Sequence, residues 1–182
     1  LEIQRLVNFL VANKQPNDEI VVQFDSKNGD PEIEAYLRSH SINGEFNWHS
    51  YEFEGDFSHM KNSLSSLCSG DYIFQIDADE MISPYMIDNV AMVLQYNSVD
   101  GLTQEHIDKW GWGVNEKGWI NFPDFQWRIY KNNGKIKWVN KVHEVLQGYH
   151  TISYLPTKQP WCLVHDKTIE RQEKQNAYYE KL

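Results

Sequence analysis

A short apolar run that ends in three acidic residues constrains this chain more than any other stretch. It covers residues 71–80, Asp71-Tyr72-Ile73-Phe74-Gln75-Ile76-Asp77-Ala78-Asp79-Glu80. The apolar part is typical of a buried strand in a parallel sheet, and open α/β sheets bind ligands at the carboxyl ends of such strands. If the chain stays extended, Asp77 and Asp79 point to the same side. Because two such carboxylates repel each other unless a cation lies between them, the pair predicts a site for Mg²⁺ or Mn²⁺. An ordinary acidic turn is the alternative.

The elements around this run predict an α/β fold. Apolar residues at helical spacing predict helices over 2–13 and 57–68, the second closed by Gly70. Asp30 before Pro31 predicts a helix start, as does Ser83 before Pro84. Strands are predicted at 19–24 and 46–53, so helices and strands alternate, which favours a mostly parallel sheet with right-handed crossovers. In the second half, short strands are predicted at 99–107, 125–131, 136–142 and 151–155. A last helix is predicted at 168–182.

Length and charge exclude several classes of protein. A chain of 182 residues predicts one domain. With 17 basic and 26 acidic residues the net charge is −9, which argues against a general nucleic-acid or anionic-membrane surface. The two cysteines give neither a disulfide framework nor a zinc spacing, and Cys68 is expected to be a buried free thiol. No signal peptide or membrane-spanning apolar run is evident, so a cytoplasmic protein is expected.

Four segments occur in a fixed order around the acidic pair. They are Phe57-Ser58-His59-Met60-Lys61-Asn62-Ser63-Leu64; Ser69-Gly70-Asp71-Tyr72-Ile73 leading into Ile76-Asp77-Ala78-Asp79-Glu80; Trp127-Arg128-Ile129-Tyr130-Lys131-Asn132 followed by Val142-His143-Glu144; and Leu163-Val164-His165. Together they resemble the family 2 glycosyltransferases of the GT-A fold, over residues 1–175. Two features depart from the family pattern. The family's first strand, which ends in an Arg-Asn-Glu-like loop, has no visible counterpart, and Lys61 stands where the family has arginine, which keeps the charge but loses bidentate phosphate geometry.

The resemblance implies a fold and a reaction. The fold is α/β and GT-A-like (Rossmann-like), with a mostly parallel central sheet flanked by helices and a smaller antiparallel region on the acceptor side. Residues 1–182 would form one domain, with a nucleotide-sugar half (1–98) and an acceptor half that includes the last helix (99–182). The reaction would be metal-dependent transfer of a sugar, with inversion, from a nucleotide diphosphate donor to a carbohydrate or other hydroxyl acceptor. A UDP-sugar is the favoured donor.

The resemblance also implies roles for individual residues. The expected ligands of Mn²⁺ or Mg²⁺ are Asp77, Asp79 and His165. The expected contacts to the nucleotide-sugar are Asp25, Lys61, Asp77, Arg128 and His143. The expected general base is Glu144, with Asp124 and Glu80 as reserve candidates. Each assignment has a structural alternative: a loop-capping role for Asp25, a solvated lysine at 61, packed histidines at 143 and 165, and an ion pair of Glu144 with Lys141 or Arg128.

The long aromatic segment between the first two strands of the second half is a candidate acceptor site. Trp110, Trp112 and Trp119 have apolar faces that suit sugar rings, and the nearby glycines would let such a loop close over substrates. A small core beneath the loop is the alternative.

Three other functions fit parts of this pattern. A nucleotidyltransferase has a similar sheet and acidic site but usually shows a glycine-rich basic phosphate loop. A haloacid-dehalogenase-type phosphatase also uses Asp-x-Asp, but Met81 stands where Thr or Val is expected, so this class is set aside. A non-catalytic carbohydrate-binding module would explain the tryptophans without needing the acidic strand end.

Overall fold

The computed structural model of the chain describes residues 2–99, 109–114, 124–165 and 168–181. The helices are α1 Glu2–Asn13, α2 Pro31–His40, α3 Phe57–Ser66, α4 Pro84–Val99 and α5 Ile169–Tyr179, with a short 3-10 turn at Ser41–Asn43. The strands are β1 Val21–Asp25, β2 Asn47–Tyr51, β3 Tyr72–Phe74, β4 Glu80–Met81, β5 Lys109–Val114, β6 Asp124–Lys131, β7 Lys137–Val139, β8 Val145–Gln147, β9 Ile152–Tyr154 and β10 Val164–His165. No helix in these ranges is both long and apolar enough to cross a membrane.

Contacts divide the chain into two compact units. Within the described residues, unit 1 comprises 2–70, 137–145 and 168–181, and unit 2 comprises 71–99, 109–114, 124–136 and 146–165. Both units therefore combine segments from the first and the second half of the sequence.

Unit 1 is built on a parallel pair of strands and the helices that cover it. β1 pairs with β2 in parallel, from Val21 opposite Asn47 to Asp25 opposite Tyr51. The core of this unit consists of Val7, Val22, Phe24, Tyr36, Leu37 and Phe46. The apolar spacing that predicted α1 is explained by this core, because the inward face of the helix is the one that is buried.

Two of the helix starts in unit 1 follow from their capping residues. The Asp30 side chain accepts a hydrogen bond from the Glu32 amide at 2.8 Å, and Pro31 is the first residue of α2, as predicted. Asp56 caps α3 in the same way, by accepting from the His59 amide at 2.9 Å. The predicted end of α3 is wrong: the helix stops at Ser66, so Cys68 follows the helix as a half-buried free thiol.

Unit 2 contains a four-stranded sheet in the order β3-β6-β5-β9. β6 is antiparallel to both β3 and β5, and β5 is parallel to β9. The neighbour of β3 in the described residues is thus antiparallel, where a parallel one was expected. An apolar run indicates that a strand is buried but not whether its neighbouring strand is parallel. Here the neighbouring strand is β6, whose residues Ile129 and Tyr130 pair with β3 and are buried. The GT-A-like fold as a whole stays a prediction.

A second pairing in unit 2 joins distant parts of the sequence. β4 and β10 are antiparallel, with Met81 opposite Val164 and Glu80 opposite His165. This short ladder fixes the late histidine beside the acidic residues that follow β3. Residues 110–114, predicted as part of an aromatic loop, belong to strand β5 instead, because β6 and β9 pair with that strand on both sides.

Candidate functional site

The acidic residues after β3 lie in a tight turn. The Glu80 amide donates to the Asp77 carbonyl at 3.0 Å, and the Asp77 amide donates to the Glu80 carboxylate at 2.8 Å. The chain is therefore not extended here, so the condition on which Asp77 and Asp79 were expected to point to the same side is not met. The turn instead gives the two carboxylates different partners.

Arg128 on β6 neutralises the first of these carboxylates. Its Nη2 donates to Asp77 Oδ2 at 3.0 Å and also binds the Glu80 carboxylate. Both Arg128 and Glu80 are buried, and Glu80 is only 1% exposed. Burial opposes the charge on Arg128, but Asp77 and Glu80 outweigh it and raise the pKa of the guanidinium. Burial also raises the pKa of Glu80 to about 7, against the opposing effect of Arg128.

Asp79 lies beside His165, as the resemblance implied. Asp79 Oδ2 is 3.1 Å from His165 Nε2, and both side chains are largely buried. An aspartate oxygen and an imidazole nitrogen are suitable ligands for Mn²⁺ or Mg²⁺, although magnesium prefers oxygen. Asp77, the third expected ligand, pairs with Arg128, and its role as a metal ligand stays a prediction. In the described ranges, no three His, Cys, Asp or Glu side chains converge as a metal site. Two of the three expected ligands, Asp79 and His165, therefore lie close enough together to hold one ion.

Unit 1 brings together two residues that were predicted for different roles. The Lys61 ammonium on α3 forms an ion pair with the Glu144 carboxylate. The same nitrogen lies 4.4 Å from the centre of the Trp138 ring. Neither expected alternative is found: Lys61 is buried rather than solvated, and the partner of Glu144 is Lys61.

Asp25 lies at the end of β1 and holds the loop that follows. Its carboxylate accepts hydrogen bonds from the Lys27 amide at 3.0 Å, the Phe53 amide at 3.2 Å and the Asn28 side chain at 2.9 Å. Burial acts to raise the pKa of Asp25, but these hydrogen bonds outweigh it and lower the pKa. The loop-capping alternative is therefore found, while the contact of Asp25 to a nucleotide stays a prediction. The lowered pKa keeps the group an ionised acceptor at neutral pH.

A cleft of about 370 Å³ opens beside Asp25 in unit 1. It is lined by Asp25, Asn28, Phe53, Phe57, Met60 and Tyr178. Three aromatic rings, one thioether and one ionised carboxylate give it an apolar wall with a single charged acceptor. Tyr178 of α5 was not among the predicted site residues, because nothing in the sequence places the last helix beside β1.

The remaining predicted residues have mixed outcomes. His143 has a positive φ of 55°, and its ring lies 6.0 Å from that of Tyr179, measured between the ring centres. The side chain is exposed, so it is not the packed histidine of the alternative, and its contact to the donor stays a prediction. Trp110 and Trp112 lie on β5, but their side chains are outside the described part of the chain, as is the side chain of Asp124. Trp119 is also outside the described residues. Among the reserve bases, Glu80 is too deeply buried beside Arg128 to reach an acceptor.

Asn62 has a structural role that the sequence did not indicate, although the residue lies in the first of the four family-like segments. Its side chain donates to the Trp138 carbonyl at 2.8 Å and accepts from the Trp138 amide at 2.9 Å. One amide thereby satisfies both backbone groups of a residue 76 positions away. Asn62 and Lys61 are adjacent, and both hold the segment that contains Glu144.

Two curated proteins are similar to this chain. They are the SPbeta prophage-derived glycosyltransferase SunS of Bacillus subtilis (strain 168) and the glycosyltransferase SunS of Bacillus phage SPbeta. Each is 26% identical over 152 residues, which is 82% of this chain and 33% of the relative. The chain therefore spans about a third of the length of the curated relatives it matches. No protein-family model matches the chain.

Proposed function

We propose that this chain acts in the transfer of a sugar from a nucleotide diphosphate donor to an acceptor hydroxyl. The observation that carries the proposal is its similarity, over 152 residues, to two proteins named as glycosyltransferases. We further propose the finer features: a GT-A-like fold of family 2, a UDP-sugar donor, inversion at the sugar and dependence on Mn²⁺ or Mg²⁺.

The cleft of unit 1 is the proposed site for the nucleoside of the donor. Its volume of about 370 Å³ is at the low end for ligand pockets, which span roughly 300–1,000 Å³, so it suits a nucleoside better than a whole nucleotide-sugar. The rings of Phe57 and Tyr178 offer apolar surface to a base. Asp25 is ionised and can accept a hydrogen bond from a base N–H or a ribose hydroxyl.

The acidic turn of unit 2 is the proposed metal site. Asp79 and His165 are the residues that would hold the metal ion, and a bound ion would neutralise the charge that develops on the leaving diphosphate. Arg128 fixes Asp77 and Glu80 in the turn, so its proposed role is to position the turn rather than to bind phosphate.

Glu144 is the proposed general base. In the reaction, the acceptor oxygen bonds to the anomeric carbon while the bond from that carbon to the diphosphate oxygen breaks. The electron pair of the broken bond leaves with the diphosphate, and the acceptor proton passes to the Glu144 carboxylate. The Glu144 side chain is 15% exposed, which leaves it accessible while its ion pair restricts its motion.

The proposal is tested by supplying a panel of UDP-, GDP- and dTDP-sugars with Mn²⁺ and measuring released nucleoside diphosphate. The wild-type protein is expected to release one diphosphate above background, by transfer or hydrolysis. Asp79→Asn and Glu144→Gln should each slow release about 100-fold or more. Glu45→Gln, an exposed acid in unit 1, is the matched control and should keep the wild-type rate.

Two results would contradict parts of this assignment. Release of pyrophosphate from nucleoside triphosphates, without diphosphate release from any sugar donor, would indicate nucleotidyl transfer instead. A Glu144→Gln protein with wild-type turnover would eliminate Glu144 as the base while leaving the reaction class intact.

A further inference from the structure

Lys61 is a buried charge with two partners inside unit 1. The residue is 7% exposed, and lysine is rarely buried unless it is paired. Its ammonium forms the ion pair with Glu144 and lies over the face of Trp138, at 4.4 Å from the ring centre. An aromatic face attracts a cation at this distance. The charge of Lys61 is therefore directed into the protein, towards the segment that contains Glu144.

That segment is held to α3 along its whole length. Asn62, next to Lys61, binds both backbone groups of Trp138 at 2.8 and 2.9 Å. At the start of the same helix, the Phe57 amide donates to the Lys141 carbonyl at 2.9 Å. The ion pair of Lys61 with Glu144 is a further connection, so backbone and side-chain contacts both fix residues 138–144 against one helix.

The backbone just before Glu144 adopts unusual conformations. Asn140 has φ 75° and His143 has φ 55°, and neither is glycine. Such conformations persist where the surrounding contacts determine them, and they concentrate at functional sites. The backbone therefore changes direction twice before Glu144, whose carboxylate lies against the Lys61 ammonium.

We propose that Lys61 is a positioning residue for Glu144 and does not bind the donor diphosphate. This inference rests on the proposed function, in which Glu144 is the base. Because the Lys61 ammonium holds Oε1 of Glu144, it fixes the orientation in which the carboxylate would take the acceptor proton. A lysine that contacted a diphosphate would instead need its ammonium exposed to the ligand.

The test separates positioning from diphosphate binding by measuring affinity and turnover independently. Calorimetry gives the dissociation constant of the nucleoside diphosphate that the wild-type protein binds most tightly among UDP, GDP and dTDP. Steady-state kinetics give kcat and the donor KM. The variants are Lys61→Met, which keeps the apolar stem over Trp138, Lys61→Arg, Glu144→Gln and the double variant Lys61→Met with Glu144→Gln. Lys137→Met, which replaces an exposed lysine immediately before this segment, is the matched control.

The proposal predicts a loss confined to turnover. Lys61→Met should lower kcat at least tenfold while the nucleotide dissociation constant stays within twofold of the wild type. The double variant should be no slower than Glu144→Gln alone, within twofold, because both changes remove the same positioned carboxylate. Lys61→Arg keeps a cation next to Glu144 and should retain at least a fifth of the wild-type kcat.

Two results would overturn the proposal. One is nucleotide affinity that falls tenfold or more in Lys61→Met, or that rises tenfold in Lys61→Arg, because a guanidinium binds a diphosphate in bidentate fashion. The other is a double variant whose loss is the product of the single losses. If Lys61→Met does not fold, Lys61→Arg carries the affinity test. Failure of the proposed function would be recognised separately, because the wild-type protein itself would then show no sugar transfer.

Discussion

Replacing Asn62 with alanine should strongly destabilise unit 1. Asn62 satisfies the amide and the carbonyl of Trp138, at 2.9 and 2.8 Å, and Trp138 is 4% exposed. A buried polar group left unpaired costs about 1–3 kcal/mol, so two such groups cost about 2–6 kcal/mol. Alanine is the better helix former by roughly 0.5 kcal/mol, which offsets only a small part of this loss.

Urea unfolding measures this change. With a slope of about 1–3 kcal/mol per molar urea, the midpoint should fall by about 0.5 M or more at an unchanged slope. Asn89→Ala is the matched control, because Asn89 also bonds a backbone carbonyl, that of Tyr85 at 2.7 Å, but in an exposed position. The control should stay within about 0.5 kcal/mol of the wild type. An Asn62→Ala protein within that same margin would refute the reasoning.

Three further predictions follow from other contacts. Arg128→Met should lower the unfolding free energy by about 3–5 kcal/mol at pH 8, because buried Glu80 loses its cation. Burial raises the pKa of Glu80, so its protonation at pH 5.5 should reduce this loss of stability. Equal losses in thermal melts at both pH values would contradict the prediction. Burial raises the pKa of Cys68 to about 11, so iodoacetamide at pH 8 should modify it on the order of 100-fold more slowly than an ordinary thiol, as followed by mass spectrometry. Tyr178→Ala should weaken nucleotide binding about tenfold in calorimetry through loss of stacking, whereas Tyr154→Ala, an exposed tyrosine of unit 2, should not.

Local signals in the sequence predicted the features that depend on neighbouring residues. The start of α2 follows from Asp30 and Pro31, whose capping geometry is found as expected. The strand before the acidic residues follows from a run of apolar side chains, and β3 occupies it. The late histidine was placed next to Asp79 from the resemblance, and the ladder of β4 with β10 brings it there.

The features that failed or were missed depend on contacts between distant segments. The turn at Asp77 could not be distinguished from an extended chain, because its stability comes partly from Arg128, 51 positions away. For the same reason the pairing of Lys61 with Glu144 was not predicted, since each residue was considered against a substrate rather than against the other. A buried ion pair is determined by tertiary packing, and no local pattern records it.

The measurement that tests the central claim most directly is calorimetric binding of UDP, GDP and dTDP, with and without Mn²⁺. We expect one of the three to bind. Mn²⁺ should tighten its binding at least tenfold, or about 1.4 kcal/mol, in the wild-type protein but not in Asp79→Asn. Binding of none of the three would contradict the proposal of a nucleotide diphosphate donor. Equal tightening by Mn²⁺ in Asp79→Asn would contradict the role of Asp79 as a metal ligand.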